Sequence, residues 1–195
     1  VLASHNTGKL AELRGLLAGC GIDVVPQSDF GIGEIEETGL TFVENALLKA
    51  RHAAHISSLP ALADDSGLCV EALGGAPGLH SARYAGADGD AQANILKLLD
   101  ALGEIPDAHR GAHFHCTLAL LRHPDDPAPI ICEGRWHGRI LHDIRGEGGF
   151  GYDPVFLDAS SGQSAAELSR EEKAAISHRG KALRQLVEAL SRHPL

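Results

Sequence analysis

The sequence predicts an α/β fold built on a mixed β-sheet, and three observations predict it. Residues 1–3 form a short apolar run that passes through a polar turn into an amphipathic helix, the order of a strand–turn–helix unit. Strand-like runs then alternate with helical periods along the chain. Residues 112–121 and 130–138 flank the turn Pro124-Asp125-Asp126-Pro127 and read as a hairpin, which adds antiparallel pairing. At 195 residues the chain is read as one domain, 1–195, long enough to bury a sizeable core. Aromatic residues make up 4% and Met is absent, so that core must be built from Ala, Leu, Val and Ile.

The first three residues look like the tail of a strand, and without an initiator Met a few residues are expected to precede them. Ser4, His5, Asn6, Thr7, Gly8 and Lys9 form the turn. Leu10, Leu13, Leu16 and Leu17 then mark a helix ending near Gly19 or Gly21. Unpaired backbone N–H groups at its N-terminus, with Lys9 in its first turn, suit a phosphate. This is not a Walker A loop, because Leu10 stands where Ser or Thr would bind magnesium. Residues 22–25 read as a strand, followed by an acidic loop over 33–39 that contains Glu36 and Glu37. The capping box Thr41-x-x-Glu44 opens a helix with Val43, Ala46, Leu47, Ala50 and Ala54 on its apolar face. Asn45, Lys49 and His52 share the opposite stripe, which faces either solvent or a ligand.

The centre of the chain is ALADDSGLCVEALGGAPGLHSARYAG, beginning at Ala61. An apolar run delivers Asp64 and Asp65 into a Ser66-Gly67 turn, and alternation along a strand forbids both acids from pointing the same way. One is expected to face a ligand and the other to brace the turn or a neighbouring cation. The residues beyond are too irregular for a helix.

Ile95, Leu98, Leu99 and Leu102 mark a helix closed by Gly103. In the following strand Phe114, Cys116, Leu118 and Leu120 face one side, so it is expected to be half-buried. His113 and His115 face the other side, without a third metal ligand nearby. Trp136 is expected to pack against the sheet. GEGGFGYDPVF, from Gly146, is a second dense loop: its glycines admit close approach of backbone to a flat ligand, Phe150 and Tyr152 offer stacking faces, and Asp153-Pro154 ends the turn. Ser169-x-x-Glu172 is another capping box. The helical period through Ile176 and then Leu183, Leu186, Val187 and Leu190 is interrupted at 177–180, where a break is expected to expose His178 and Arg179.

A formal charge of −9 disfavours nucleic acid and anionic membrane as partners. A small anionic ligand remains compatible with a local cluster of cations or a metal ion. No run approaches the length of a membrane span. Cys20, Cys69, Cys116 and Cys132 contain no CxxC pair; they read as buried free thiols in a reducing compartment, the cytoplasm, and not as zinc ligands. Phosphate-binding amides with Lys9, acids at Glu36, Glu37 and Asp65, a flat-ligand loop at 149–153 and cations at Lys173, His178 and Arg179 together describe a site for a nucleoside triphosphate and magnesium.

Five ordered motifs carry a resemblance to a known family: SHNTGK from Ser4, EETGLTFVENALLKAR from Glu36, ADDSGLCVEALGGAPGLHSARYAG from Ala63, GGFGYDPVF from Gly148 and EEKAAISHRGKAL from Glu171. On these the chain resembles the inosine/xanthosine triphosphate pyrophosphatase family, the HAM1-like enzymes. The first motif departs from the family's frequent Thr-Gly-Asn; Ser4 keeps the hydroxyl, and His5 puts a side chain where glycine is common.

The resemblance implies an elongated fold of two lobes around a long mixed sheet with helices on its faces and a central nucleotide cleft. It also implies a homodimer, and hydrolysis of ITP, dITP and XTP, non-standard purine nucleoside triphosphates, to monophosphate and pyrophosphate. Magnesium needs only one or two protein carboxylates beside substrate phosphates. Asp65 is therefore assigned as the central acid, holding metal or its water and matching the family's proton acceptor, with Glu37 as second ligand and Glu36 as its substitute. Asp64 is given the bracing role, toward Lys49. Lys9, Lys49 and the amides of Thr7 and Gly8 would stabilise the triphosphate, and Ser66 would donate to a phosphate or the sugar. Phe150 would stack on the purine. Backbone N–H groups near Phe150 and Tyr152, with His178 and Arg179, would meet the 6-oxo group of hypoxanthine or xanthine and oppose the 6-amino group of adenine; Lys173 would reach base or phosphate, and Gly151 and Asp153 belong to the same substrate-binding loop. The alternatives are a related pyrophosphatase acting on modified pyrimidine or 7-methylguanine nucleotides, and a nucleotide sensor without turnover.

Overall fold

The computed structural model describes residues 1–4, 7–17, 22–86 and 89–192. Five strands form one sheet in the order β1-β2-β3-β4-β5: β1 Leu2–Ala3, β2 Ala61–Val70, β3 Gly111–Leu121, β4 Ile130–Ile140 and β5 Phe156–Asp158. β1 runs parallel to β2, with Leu2 opposite Leu62, and β5 runs antiparallel to β4, with Gly138 opposite Asp158. The expected mixed sheet is therefore present. The helices are α1 Thr7–Leu17, α2 Phe42–Ser57, α3 Ala91–Leu102, α4 Arg170–Ile176 and α5 His178–Arg192.

The chain divides into two compact units, Val1–Asp65 with Cys116–Gly134 and Lys181–Leu195, and Ser66–His115 with Arg135–Gly180. In the first, strand alternation sorts the core by face. Leu62, Cys116, Leu118 and Leu120 pack with Leu13 and Leu17 of α1 and Leu183 and Leu186 of α5. Ala61, Ala63, Ala119 and Leu121 pack with Ala46, Ala50, Ala53 and Ala54 of α2. That second cluster is mostly alanine, so α2 lies close against its strands. In the other unit Leu68, Val70, Phe114, Trp136 and Phe156 pack with Ile95, Leu98 and Leu102 of α3. Trp136 packs as expected, and its Nε1 donates to Asp158 Oδ1 at 2.7 Å.

The helix starts follow local chemistry. Thr41 Oγ1 accepts from the Glu44 amide at 3.3 Å while the Glu44 carboxylate accepts from the Leu40 amide at 2.8 Å. Ser169 and Glu172 form the reciprocal capping box of α4. Asp90 caps α3 through the Ala93 amide, 2.9 Å away.

Four expectations require correction. Residues 22–25 form no strand; only Pro26 bridges to Leu2, whose amide donates to the Val25 carbonyl at 2.8 Å. Residues 64–67 are not a turn, because β2 continues through them to Val70. β3 is buried on both faces from Phe114 onward, as a central strand covered from two sides must be. Cys69 is half-buried, whereas Cys116 and Cys132 are buried; Cys20, Gly19 and Gly21 lie outside the described residues. No described helix is long and apolar enough to cross a membrane.

Candidate active site

In the first unit, β2 presents its two acids to opposite sides, and each finds a different lysine. Asp64 points to the α1 side, where Lys9 Nζ binds its Oδ1 and the Cys116 thiol donates to its Oδ2 at 3.2 Å. Its side chain has no exposed surface. Asp65 points to the α2 side, where Lys49 Nζ donates to its Oδ1 at 2.8 Å and to Glu37 Oε1 at 2.8 Å. Asp64 thus braces Lys9, not Lys49; the odd–even alternation of the strand sends it to the other face.

Two carboxylates share the single Lys49 ammonium. Burial would pull Lys49 down, but Asp65 and Glu37 together outweigh it and hold the ammonium above its ordinary pKa. Burial pushes the Asp65 carboxyl up; Lys49 offsets part of this, while the neighbouring Glu37 charge adds to it. Asp65 is 7% exposed, and its Oδ2 has no hydrogen-bond partner among the described residues. A buried acceptor in that state is costly, and a hard cation or an ordered water is a fitting partner for it. Glu36 stands exposed in the same loop.

The loop bearing Glu37 is held from α2. Asn45, expected on a solvent- or ligand-facing stripe, is buried and accepts the Gly39 amide on its Oδ1 at 2.8 Å. A Cβ on Gly39 would fall 2.6 Å from that oxygen, so glycine is required there. Sequence reasoning missed this contact and the hydrogen bond of Cys116 to Asp64. A polar residue on an otherwise alanine-lined helix was the only signal for the first; an inward-facing Cys gave none for the second. Gly8 and Lys9 stand in the first turn of α1, with the Thr7 backbone. Ser4 precedes that helix as half-buried chain, and His5 and Asn6 lie outside the described residues.

In the second unit, Phe150 is 41% exposed and carries two cations on its ring, Lys173 Nζ at 4.7 Å and the Arg179 guanidinium carbon at 5.8 Å from the centroid. Asp153 orders this group. Its Oδ2 binds Lys173 and accepts the Phe150 amide at 2.8 Å, and a Cβ on Gly149, whose φ is +72°, would fall 2.0 Å from the same oxygen. Gly151 follows Phe150 with φ +60°. Arg179 Nη2 donates to Ser66 Oγ at 3.2 Å.

Three expectations change here. The helical break at Ser177 is present, but His178 and Arg179 are buried, at 6% and 3% exposure. The His178 ring stacks on Phe114 at 4.8 Å and 14°, and Arg179 is drawn inward by Phe150 and Ser66. Tyr152 offers no stacking face: its ring is in the core and its hydroxyl donates to the Ser81 carbonyl at 2.9 Å.

These groups, an acid pair with two lysines and an exposed aromatic flanked by cations, all fall within a stretch that matches a known family. A model of the Ham1 family matches residues 1–189. The dITP/XTP pyrophosphatase of Escherichia coli (strain K12) is 57% identical over 190 residues, covering 97% of this chain and 96% of that protein, and that of Pectobacterium atrosepticum is 59% identical over the same share. Among solved structures, a HAM1 protein from Coxiella burnetii superposes with a TM-score of 0.92 at 53% identity, over 98% of this chain and 97% of that one. The Staphylococcus aureus Ham1 protein gives 0.88 at 39% identity over the same shares. With a family match along nearly its whole length and such identities to its members, this chain belongs to the Ham1 family.

Proposed function

We infer that this protein hydrolyses non-standard purine nucleoside triphosphates, ITP, dITP and XTP, at the α–β phosphoanhydride bond, releasing the nucleoside monophosphate and pyrophosphate. The observation that carries the reading is Asp65: a buried carboxylate with one oxygen on Lys49 and the other without a partner among the described residues, in a chain closely similar to dITP/XTP pyrophosphatases. Release of pyrophosphate needs attack by water on the α-phosphorus, and a carboxylate whose pKa is lifted by burial is a better proton acceptor than an ordinary one.

The roles divide by residue. Asp65 orients and deprotonates water. Lys49 holds Asp65 and Glu37 and meets charge developing on the phosphates. Lys9, with the amides of Thr7 and Gly8, binds phosphate, and Asp64 fixes Lys9. Phe150 stacks on the purine, while Ser66, Lys173, His178 and Arg179 supply donors to substrate. A donor-lined pocket favours a 6-oxo over a 6-amino purine because the wrong base leaves donor facing donor. The cofactor is a divalent cation, magnesium, which supplies charge neutralisation to the triphosphate. Among the described residues no group of three or more His, Cys, Asp or Glu side chains is placed to hold a metal ion. The unpartnered Asp65 oxygen with Glu37 beside it fits a hard ion completed by phosphates and water. The protein acts in the cytoplasm as a homodimer.

A panel of nucleoside triphosphates assayed for pyrophosphate, with magnesium and then with chelator, tests this. ITP, dITP and XTP should be turned over far faster than ATP, GTP or the pyrimidine nucleotides, and only with the metal. Preference for a modified pyrimidine or 7-methylguanine nucleotide, or binding without turnover, would overturn it.

A further inference from the structure

Cys116 touches Asp64 and has no role in the assignments above. Its side chain sits on the α1 and α5 side of β3 and is wholly buried. Its thiol donates to Asp64 Oδ2, and Asp64 gives its other oxygen to Lys9. Thiol, carboxylate and ammonium form a short relay. A carboxylate with no exposed surface has no bulk water to replace a lost donor, so its orientation is set by the protein groups that donate to it.

We propose that Cys116 is a positioning residue of this site, its thiol fixing the Asp64 carboxylate and through it the Lys9 ammonium that binds substrate phosphate. The proposal rests on Lys9 being a phosphate-binding cation, and it deepens that reading. The rival role is plain filling of the core, since a thiol is a weak donor and a good small apolar filler. Cys132 supplies the contrast: it is buried in the same cluster, at 3% exposure, but stands on β4 outside the relay.

Four variants separate the two roles: Cys116→Ala, Cys116→Ser, Cys132→Ala and Lys9→Ala. Both Cys→Ala changes should lower Tm, Cys116→Ala by more, because each removes one buried sulfur from one cluster and Cys116→Ala also takes a donor from the buried Asp64 carboxylate. Only Cys116→Ala should raise KM for ITP, by about five- to tenfold, the cost of a lost donor to a buried acceptor. Its kcat should stay within about twofold, because the groups that act on water lie across β2. Cys116→Ser, which restores a donor, should bring KM back while leaving a Tm deficit. In a Lys9→Ala background, Cys116→Ala should add no further change in KM. An unchanged KM in Cys116→Ala, an equal rise in Cys132→Ala, failure of serine to rescue, or full additivity with Lys9→Ala would each overturn the proposal.

If the wild-type protein releases pyrophosphate from no nucleotide, the catalytic reading falls separately. Calorimetric titration of the same variants with inorganic tripolyphosphate then decides the relay. Weaker binding by Cys116→Ala than by Cys116→Ser or Cys132→Ala supports it. Equal binding, or no binding by the wild type, overturns it.

Discussion

Asp65 is a residue whose ionised form the fold disfavours and whose proposed role as base would require it. Its carboxyl is raised above the ordinary 3.8, burial being the largest cause. Between the ordinary and the raised value the folded state binds more protons than the unfolded one, so stability falls as pH rises through that window. Above the window the charge remains a standing cost. Asp65→Asn removes that charge, keeps the shape and leaves Lys49 its partner Glu37. It should therefore lower kcat for ITP by about 10²-fold or more, the scale of lost acid–base catalysis, while Tm at neutral pH stays level or rises. Steady-state kinetics beside a thermal melt checks both numbers; near-normal turnover, or a Tm lower by several degrees, would make Asp65 a structural residue. The same shift sets the pH profile. A base must be unprotonated, so activity should fall as pH drops through the raised value, placing the acid limb of kcat above the ordinary carboxylate range. A limb at or below 3.8 would assign the base elsewhere.

At the scale of elements, the α4/α5 junction poses two opposed effects at Gly180. Glycine inside a helix is normally about 1 kcal/mol worse than alanine, so Gly180→Ala should stabilise α5 on propensity alone. But a Cβ there would fall 1.9 Å from the Ala174 carbonyl oxygen, a backbone atom of α4 that cannot swing away. Relieving the clash must move one helix start against the other, at a cost of about 1–3 kcal/mol, so strain wins. Because His178 and Arg179 occupy the first turn of α5, KM for ITP should rise together with a lower Tm. A higher Tm with unchanged KM would show that the junction adjusts freely. This junction also marks the limit of what the sequence reveals. The break at Ser177 and the two capping boxes were legible because their partners are within a turn. The burial of His178 and Arg179 was not, because Phe114 and Ser66, which hold them, are distant in the chain; Ser66 is 113 residues from Arg179. β2 was misread for the same reason. Asp-Asp-Ser-Gly has the local chemistry of a turn, but β2 lies between β1 and β3 in the sheet, and its buried acids are paired by Lys9, 55 residues away, and Lys49, 16 away.

Across the whole molecule, an acidic protein with a formal charge of −9 must gather cations locally to bind an anionic substrate. Each lysine proposed to meet substrate is paired with a carboxylate: Lys9 with Asp64, Lys49 with Asp65 and Glu37, Lys173 with Asp153. These pairs set the cations in place and give the buried Asp64, Asp65 and Asp153 each a cation from the protein itself. The fold therefore does not depend on metal for its charge balance, unlike a cage of carboxylates that repel one another when empty. Chelator should abolish turnover while leaving Tm within about a degree or two of its value in metal-free buffer, because the buried acids Asp64, Asp65 and Asp153 each already have a lysine partner without the ion. Adding magnesium should raise Tm through preferential binding to the native state, by an increment that grows with concentration. That increment should vanish in Asp65→Asn, which removes the charge from the one buried oxygen without a partner among the described residues. Differential scanning across a magnesium series on wild type and variant reads this directly. A collapse of Tm in chelator would make the metal structural, and an equal rise in the variant would place the ion away from Asp65.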